Sequence, residues 1–204
     1  MAKRIILFGG SFNPVHLGHI EIAHCAAKKI VAKKIILIPA NRSPHKQAAP
    51  EASGVDRMKM LALATADKPV FEINDCELNR PGPSYTLDTI RYFREKLGSD
   101  TALHLLVGAD VLTELGKWYK VNELMDECII TVMCRGGFER DDFGDLEKYV
   151  GSERLKRLLG NMVETPTMEI SSSQIRQMIK TGQSTEGLLC EAVADYIAQK
   201  QLYK

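Results

Sequence analysis

Several features that would assign a protein to a specialised class are missing from these 204 residues. No apolar run approaches the roughly 20 residues that a membrane-spanning helix requires. The formal net charge is only +1, so the composition gives no reason to expect a long nucleic-acid groove or a basic membrane-binding patch. We therefore expect a protein that binds neither nucleic acid nor membranes.

Cysteine is sparse, and its spacing indicates no structural role. The five cysteines are scattered and form no C-x-x-C pair, so neither a disulfide framework nor a cysteine zinc site is expected. The first apolar run, Ile5–Phe8, is too short for a signal peptide and is followed by glycines rather than by a cleavage site. A cytoplasmic location fits these observations best.

What the sequence does contain is typical of a globular protein, with 45% hydrophobic and 26% charged residues. Its length suffices for one large core, and we expect a single domain over residues 1–204. Apolar runs predict buried strands at 4–8, 34–38, 70–73, 103–107 and 128–133, and helical spacing predicts helices at 20–31, 56–66, 86–97, 171–180 and 188–201. This alternation predicts an α/β fold, a doubly wound parallel sheet, with a helical C-terminal part at about 165–204.

Three polar segments follow predicted strands. They cover residues 9–19 after the first strand, 41–46 after the second and 108–110 after the fourth. In doubly wound sheets, ligands bind beyond the carboxyl ends of the strands. The predicted topology therefore brings these three segments together at one ligand site.

The first segment, GGSFNPVHLGH at 9–19, has the composition of an anion site. Its glycines allow close approach of the backbone to a ligand, and the helix that begins near Leu17 or Gly18 directs its positive end at the loop. His16 and His19 are three residues apart, so both can lie on one helical face and donate hydrogen bonds to phosphate oxygens. A zinc pair is disfavoured because the i,i+4 spacing and glutamate of zinc hydrolases are absent. A structural role for both histidines stays open.

A second motif, ISSSQIR, lies at 170–176. Serines before a helix are typical N-caps, and Arg176 can offer a planar pair of donors to a phosphate. Capping explains one serine but not three that are followed by an arginine. Helix capping alone nevertheless remains the alternative to phosphate binding.

Together the two motifs resemble those of the nucleotidyltransferase superfamily with the H-x-G-H motif, whose fold is Rossmann-like. The first motif is neither a Walker A loop nor a dinucleotide-binding fingerprint. Three further stretches, PSYTLDT at 83–89, GAD at 108–110 and WY at 118–119, resemble the bacterial nicotinate-nucleotide adenylyltransferases. The resemblance extends over essentially the whole length. Pantetheine-phosphate adenylyltransferases share the first motif but lack the Ser-Tyr-Thr and Trp-Tyr segments.

This resemblance implies transfer of AMP from ATP to nicotinate mononucleotide, which yields deamido-NAD and pyrophosphate, with Mg²⁺ as the expected cofactor. The implied catalytic residues are His16, His19, Lys46 and Arg176. The implied ATP-binding residues are Gly9, Gly10, Ser11, Phe12, Asn13, Gly18, Gly108, Asp110, Ile170, Ser171 and Ser172. The implied acceptor-binding residues are Ser84, Tyr85, Thr86, Trp118, Tyr119 and Arg135.

Several alternatives stay open at this point. Nicotinamide mononucleotide could be the preferred acceptor, or the chain could be a nucleotide-binding module without catalysis. Trp118 could be a partly buried lid residue, and Asp110 could be a helix N-cap. Asn13 stands where aspartate is commoner and Ser173 where threonine is commoner, so a metal role for residue 13 is in doubt. No segment identifies an interface, which leaves a homo-oligomer open.

Overall fold

The computed structural model describes residues 3–42, 49–134, 145–166, 168 and 170–204. Within these ranges six strands form one sheet in which every neighbouring pair is parallel, in the order β3-β2-β1-β4-β5-β6. The strands are β1 (Lys3–Gly10), β2 (Lys34–Pro39), β3 (Phe71–Ile73), β4 (Thr101–Gly108), β5 (Ile129–Cys134) and β6 (Met162–Glu164). The predicted doubly wound α/β fold is confirmed.

Helices connect the strands and cover both faces of the sheet. They are α1 (Leu17–Ile30), α2 (Gly54–Thr65), α3 (Thr86–Leu97), α4 (Leu112–Leu115), α5 (Val121–Glu127), α6 (Leu146–Val150), α7 (Ser152–Leu159), α8 (Ser172–Lys180) and α9 (Glu191–Lys200), with a 3-10 helix at Ala109–Val111. No helix among the described residues is long and apolar enough to cross a membrane.

The five predicted strands and five predicted helices are all present, with ends that differ by up to three residues. β6 and the four helices α4 to α7 have no counterpart among the predicted elements. Four of these five segments have at most seven residues, and such short segments show little periodicity. The eight residues of α7 do show helical spacing of leucines, which was a signal in the sequence.

The core has two layers because side chains alternate along the strands. Ile5 and Leu7 of β1 pack on the face that α3 and α5 cover, whereas Ile6 and Phe8 pack on the face that α1, α2 and α9 cover. All four side chains are at most 8% exposed. Both faces of the sheet are therefore buried, as expected for a parallel sheet.

The strand order reverses between β1 and β4, which are neighbours in the sheet. From β1 the chain proceeds outward through β2 and β3, and it then returns to β4 on the other side. The loops that follow β1 and β4 diverge at this point and leave a crevice at the carboxyl edge of the sheet. The fold thus brings residues 9–19 and 108–110 to a common site.

Candidate active site

A cavity of about 1140 Å³ opens at the carboxyl edge of β1 and β4. Twelve of the residues that the resemblance implies line it, namely Gly9, Gly10, Ser11, His16, Gly18, His19, Ser84, Thr86, Gly108, Asp110, Trp118 and Ile170. The topology therefore unites segments that lie up to 161 positions apart in the chain. Lys46 and Arg135 lie outside the described residues.

The two histidines stand at the start of α1. Helix α1 begins at Leu17, and His16 is its N-cap in an extended conformation. The backbone N–H of His16 donates to Nδ1 of His19 at 3.3 Å, and the ring centroids are 3.7 Å apart. Since Nδ1 of His19 accepts this bond, a neutral His19 carries its proton on Nε2. This bond thus fixes the tautomer of His19.

His16 is a buried polar residue with an unusual environment. Only 7% of it is exposed, and its side chain faces the backbone N–H of His19 in a capping box, although its Nδ1 atom makes no well-formed hydrogen bond within the described part of the chain. Burial lowers the pKa of His16 from 6.5 to about 4, because a charged ring would lose its hydration. His16 is therefore neutral at pH 7 in the ligand-free protein.

Gly18 lies close beside this histidine. A Cβ atom on Gly18 would lie 3.0 Å from Nδ1 of His16 and 3.2 Å from its Cε1. A larger residue would therefore need the His16 ring to shift by a few tenths of an ångström. The glycine of the H-x-G-H motif therefore avoids a close contact with the His16 ring, and it also leaves room for a ligand.

Phe12 and Asn13 belong to the loop after β1, but they do not line the cavity. Phe12 is 1% exposed and packs edge-on against the ring of His19, with centroids 5.1 Å apart. The side-chain oxygen of Asn13 accepts hydrogen bonds from the backbone N–H of Ala52 and the hydroxyl of Tyr203. Both side chains support the loop. This geometry does not place them in direct contact with a ligand.

The C-terminal motif docks onto the N-terminal one. Ser171 is the N-cap of α8, and its hydroxyl accepts from the N–H of Gln174 at 3.2 Å. The Ser172 hydroxyl donates to the carbonyl oxygen of Pro14 at 2.8 Å. Capping is thus the observed role of one serine only. Ser172 must turn its hydroxyl to donate to a ligand, whereas its position at the helix start already suits an anion.

Arg176 reaches the same loop from α8. Its Nη1 donates to the carbonyl oxygen of Asn13 at 2.8 Å, its Nη2 to Ser173 at 3.3 Å and its Nε to the carboxylate of Glu51 at 2.8 Å. A guanidinium has five N–H donors, so these bonds leave others for a ligand. Lys180 also pairs with Glu51, at 3.1 Å. The carboxylate is therefore held between two cations.

Across the cavity, α3 begins at Thr86 with Tyr85 as its N-cap. The Tyr85 side chain makes no capping hydrogen bond, and its ring stacks on that of Tyr119 with centroids 4.5 Å apart. Trp118 is partly buried against the core layer of α3 and α5 and lines the cavity. Of these three aromatic residues only Trp118 lines the cavity, and the tyrosine pair lies at the start of α3, which has no side-chain cap.

Asp110 lies in the 3-10 helix after β4 and lines the cavity. The N-cap of that helix is Gly108, so Asp110 is not the N-cap that the sequence left open. A Cβ on Gly108 would lie 2.3 Å from Oδ1 of Asp110. The glycine therefore allows the Asp110 carboxylate to fold back beside the end of β4.

Two polar residues near the cavity were missed by the sequence analysis. Arg57 is 2% exposed, and its Nη1 donates to the carbonyl oxygens of Ser11 at 3.0 Å and Ala40 at 2.7 Å. It thereby ties the loop after β1 to the end of β2. Arg57 occupies the buried stripe of α2 with Met60, Leu61 and Ala64, and a basic residue in such a stripe was a signal in the sequence.

Glu77 is the second missed residue and lines the cavity beside Ser84 and Thr89. Its carboxylate accepts from the Thr89 hydroxyl at 2.6 Å. Burial raises the pKa of Glu77, although hydrogen bonds from Thr89 and Ser84 and the nearby charge of Arg80 oppose this rise. This network fixes the turn that leads into α3.

The described residues contain no preformed metal site. No group of three His, Cys, Asp or Glu side chains within them is arranged to hold a metal ion. Asp110 is an exposed carboxylate in the cavity wall. It could add one oxygen to a Mg²⁺ ion whose other ligands are phosphate and water, which is the usual arrangement for magnesium nucleotides.

Comparison with known proteins gives consistent results. A family model of cytidylyltransferase-like proteins matches residues 7–178. The chain is 35% identical to a probable nicotinate-nucleotide adenylyltransferase of Moorella thermoacetica, over 98% of this chain and 92% of the relative. It is 37% identical to a protein of the same name from Synechococcus sp., over 98% of this chain and 95% of the relative.

The fold also has solved counterparts. The structure of Plasmodium falciparum nicotinic acid mononucleotide adenylyltransferase complexed with NaAD superimposes with a TM-score of 0.78, at 18% identity, over 98% of this chain and 97% of that chain. A putative nicotinate-nucleotide adenylyltransferase from Vibrio parahaemolyticus gives a TM-score of 0.67, at 18% identity, over 98% of this chain and 95% of that chain. At such identities the likeness establishes the fold.

Proposed function

Since this chain belongs to the cytidylyltransferase-like family, and within it to the nicotinate-nucleotide adenylyltransferases, we propose that it transfers AMP from ATP to nicotinate mononucleotide. The products are deamido-NAD and pyrophosphate. One observation carries this proposal. The histidine pair at the start of α1 and the indole of Trp118 line one cavity of about 1140 Å³, which has room for both substrates.

The reaction needs no nucleophilic side chain. A phosphate oxygen of the mononucleotide, already ionised, attacks the α-phosphorus of ATP and forms the new P–O bond. The bond from that phosphorus to the α,β-bridging oxygen breaks, and its electron pair leaves with pyrophosphate. The protein contributes in-line positioning and neutralisation of the charge that grows on the phosphates.

The histidines are suited to that neutralisation. His19 offers an Nε2–H donor because its Nδ1 already accepts the His16 amide. The buried, unpaired Nδ1 of His16 supports a ligand-binding role for its ring, since buried polar atoms are normally paired. An ATP anion would also raise the pKa of His16 and add a positive charge.

Arg176 would bind the leaving pyrophosphate together with the start of α8. Its guanidinium is already aimed at the N-terminal loop through the carbonyl of Asn13. Phosphate oxygens would then compete with Glu51 for its Nε–H. By resemblance Lys46 would add a further positive charge, and Arg135 would approach the acceptor phosphate or the ATP.

The pyridine ring of the acceptor would stack on Trp118. A ring that carries positive charge is attracted to the electron-rich face of an indole. The nicotinate carboxylate would be bound by backbone N–H groups near Thr86, where α3 begins without a side-chain cap, and near Tyr119. An anion at a helix start is favoured by the free amides and the helix dipole.

Mg²⁺ would be held mainly by the ATP phosphates and water, with the exposed Asp110 carboxylate of the cavity wall as one protein ligand. When bound, the ion supplies charge neutralisation on the phosphate oxygens. We also propose that residues 1–204 act as a single nucleotidyltransferase domain. The contact of Ser172 with Pro14 and the packing of α9 on α2 support this arrangement, because both join the C-terminal helices to the sheet domain.

A pyrophosphate-release assay tests the proposal. The purified protein is incubated with ATP and Mg²⁺ and either nicotinate mononucleotide or nicotinamide mononucleotide, each over a range of concentrations. We expect a higher kcat/KM with the nicotinate form. Absence of pyrophosphate with both acceptors would contradict the enzyme assignment, and a higher kcat/KM with the amide would contradict the acceptor assignment.

A further inference from the structure

The penultimate residue of the chain, Tyr203, is buried against the N-terminal loop. Only 5% of it is exposed, although it lies beyond the last helix, which ends at Lys200. Its hydroxyl donates a 2.8 Å hydrogen bond to the side-chain oxygen of Asn13, 190 positions earlier in the chain. The C-terminal end therefore contacts the loop that precedes the histidine pair.

The backbone after α9 is shaped for this contact. Gln201 and Tyr203 both have positive φ angles, of 54° and 65°, in the left-handed region that bulky residues seldom adopt. This conformation costs free energy and persists only where other contacts compensate for it. Burial of the ring and the hydrogen bond to Asn13 are such contacts. The chain is thus turned back onto the loop at an energetic cost.

Asn13 is a junction between three parts of the molecule. Its side-chain oxygen also accepts the backbone N–H of Ala52 at 3.1 Å, which precedes α2. Its own carbonyl oxygen accepts Nη1 of Arg176 at 2.8 Å. The Tyr203 hydroxyl therefore bonds to the residue whose carbonyl accepts from Arg176, while Tyr203 is not among the residues that line the cavity.

From this geometry we propose that Tyr203 is a positioning residue for adenylyl transfer. It fixes the Asn13 amide, and the Asn13 carbonyl in turn sets the direction of the Arg176 guanidinium toward the pyrophosphate group of ATP. The role rests on the proposed function. Tyr203, which lies beyond α9, thereby helps to orient the phosphate-binding Arg176.

A matched control is available in the preceding helix, α9. Tyr196 donates its hydroxyl to Asp56 of α2 at 2.9 Å, so this hydroxyl joins the C-terminal region to α2 rather than to Asn13. Tyr203→Phe and Tyr196→Phe each delete one hydroxyl and one hydrogen bond. A merely structural role predicts parallel losses of stability for both variants and no change in turnover well below the melting temperature.

The experiment measures kcat, the KM values for ATP and nicotinate mononucleotide, and the melting temperature of the full-length variants. We expect Tyr203→Phe to lower kcat about three- to tenfold, the range of one lost hydrogen bond, with an unchanged KM for the mononucleotide. Tyr196→Phe should keep kcat within about twofold. In an Asn13→Ala background, Tyr203→Phe should have no further effect on kcat, since it acts through Asn13.

Each outcome decides a specific point. Equal kcat for Tyr203→Phe and the wild type would overturn the positioning role and leave the proposed function intact. An equal fall of kcat in both tyrosine variants, or a full additional loss in the Asn13→Ala background, would also overturn it. A wild-type protein without turnover would remove the proposed function, and the role of Tyr203 with it.

Discussion

The backbone N–H of His16 donates to Nδ1 of His19, and the two rings lie 3.7 Å apart. This relationship gives the two histidines different properties. His19 has a fixed tautomer with its proton on Nε2, whereas His16 is buried with a pKa lowered to about 4. The pair therefore presents an Nε2–H donor on His19 and a buried ring on His16.

The first prediction concerns His19. We expect His19→Ala to lower kcat by about 10²-fold or more, because it removes a donor to the transition state. His19→Gln should retain part of this activity, since the glutamine amide nitrogen can replace Nε2–H as a donor. Steady-state pyrophosphate release measures both effects.

His24 on the same helix is the control for this prediction. Its ring lies 6.4 Å from that of Phe71, near β3, and it does not line the cavity. His24→Ala should therefore keep kcat within about twofold. A kcat for His19→Ala that matches the wild type would exclude His19 from the chemistry.

The second prediction concerns stability between pH 7 and pH 5. Burial lowers the folded-state pKa of both His16 and His104 to about 4, below the value of about 6.5 in an unfolded chain. As the pH falls below 6.5, the unfolded state binds protons that the folded state does not, so the free energy of unfolding must decrease. The slope approaches about 1.4 kcal/mol per pH unit for each histidine.

Urea unfolding at pH 7.0, 6.0 and 5.0 measures this decrease. His104, whose Nδ1 pairs with the Thr131 hydroxyl at 2.9 Å in the core, contributes independently of ligands. Pyrophosphate should reduce the pH dependence only through His16, because the anion favours its charged form. A free energy of unfolding that is flat or rises toward pH 5 would contradict the neutral state of both rings.

The third prediction uses Trp118, the only tryptophan in the chain. Its fluorescence should be quenched when nicotinate mononucleotide is added, because the pyridinium ring stacks on the indole. Trp118→Phe should raise the KM for the mononucleotide about three- to tenfold and leave the KM for ATP unchanged. Titration with AMP, which lacks a pyridinium ring, serves as the control. Equal quenching by AMP, or an unchanged KM for Trp118→Phe, would argue against stacking at this residue.

The fourth prediction concerns Arg57. Arg57→Met removes the buried guanidinium that donates to the part-buried carbonyl oxygens of Ser11 and Ala40, so we expect a loss of stability of about 1–3 kcal/mol. The KM for ATP should also rise, because the loop after β1 loses its link to β2. Chemical denaturation and steady-state kinetics test this against Lys59→Met, an exposed substitution in the same helix. Equal stability of the two variants would show that Arg57 does not hold the loop.

Much of the fold was predictable because its signals are local. Five strands are continuous apolar runs and five helices show clear periodicity, and all ten are present. The short strand β6, with one buried residue, Val163, has no such pattern. Its place at the sheet edge depends on pairing with β5, which a single sequence does not encode in a readable way.

The site was predictable to the extent that it consists of motifs. The histidines, the glycines and Trp118 were found from their spacing and from the resemblance, and they line one cavity. Arg57 and Tyr203 were not found, because each bonds to partners far away in the chain, and Glu77 was not found because its bond to Thr89 depends on the turn before α3. Tyr203 bonds to a residue 190 positions away, and the pattern around it is that of an ordinary helix end.

The central claim is that this protein joins the AMP of ATP to nicotinate mononucleotide. The most direct measurement follows ATP labelled at the α-phosphorus in a reaction with nicotinate mononucleotide and Mg²⁺, with separation of the labelled products. We predict that the label appears in deamido-NAD in a one-to-one ratio with the pyrophosphate released. Label that remains in ATP, or that appears only as free AMP, would contradict the account.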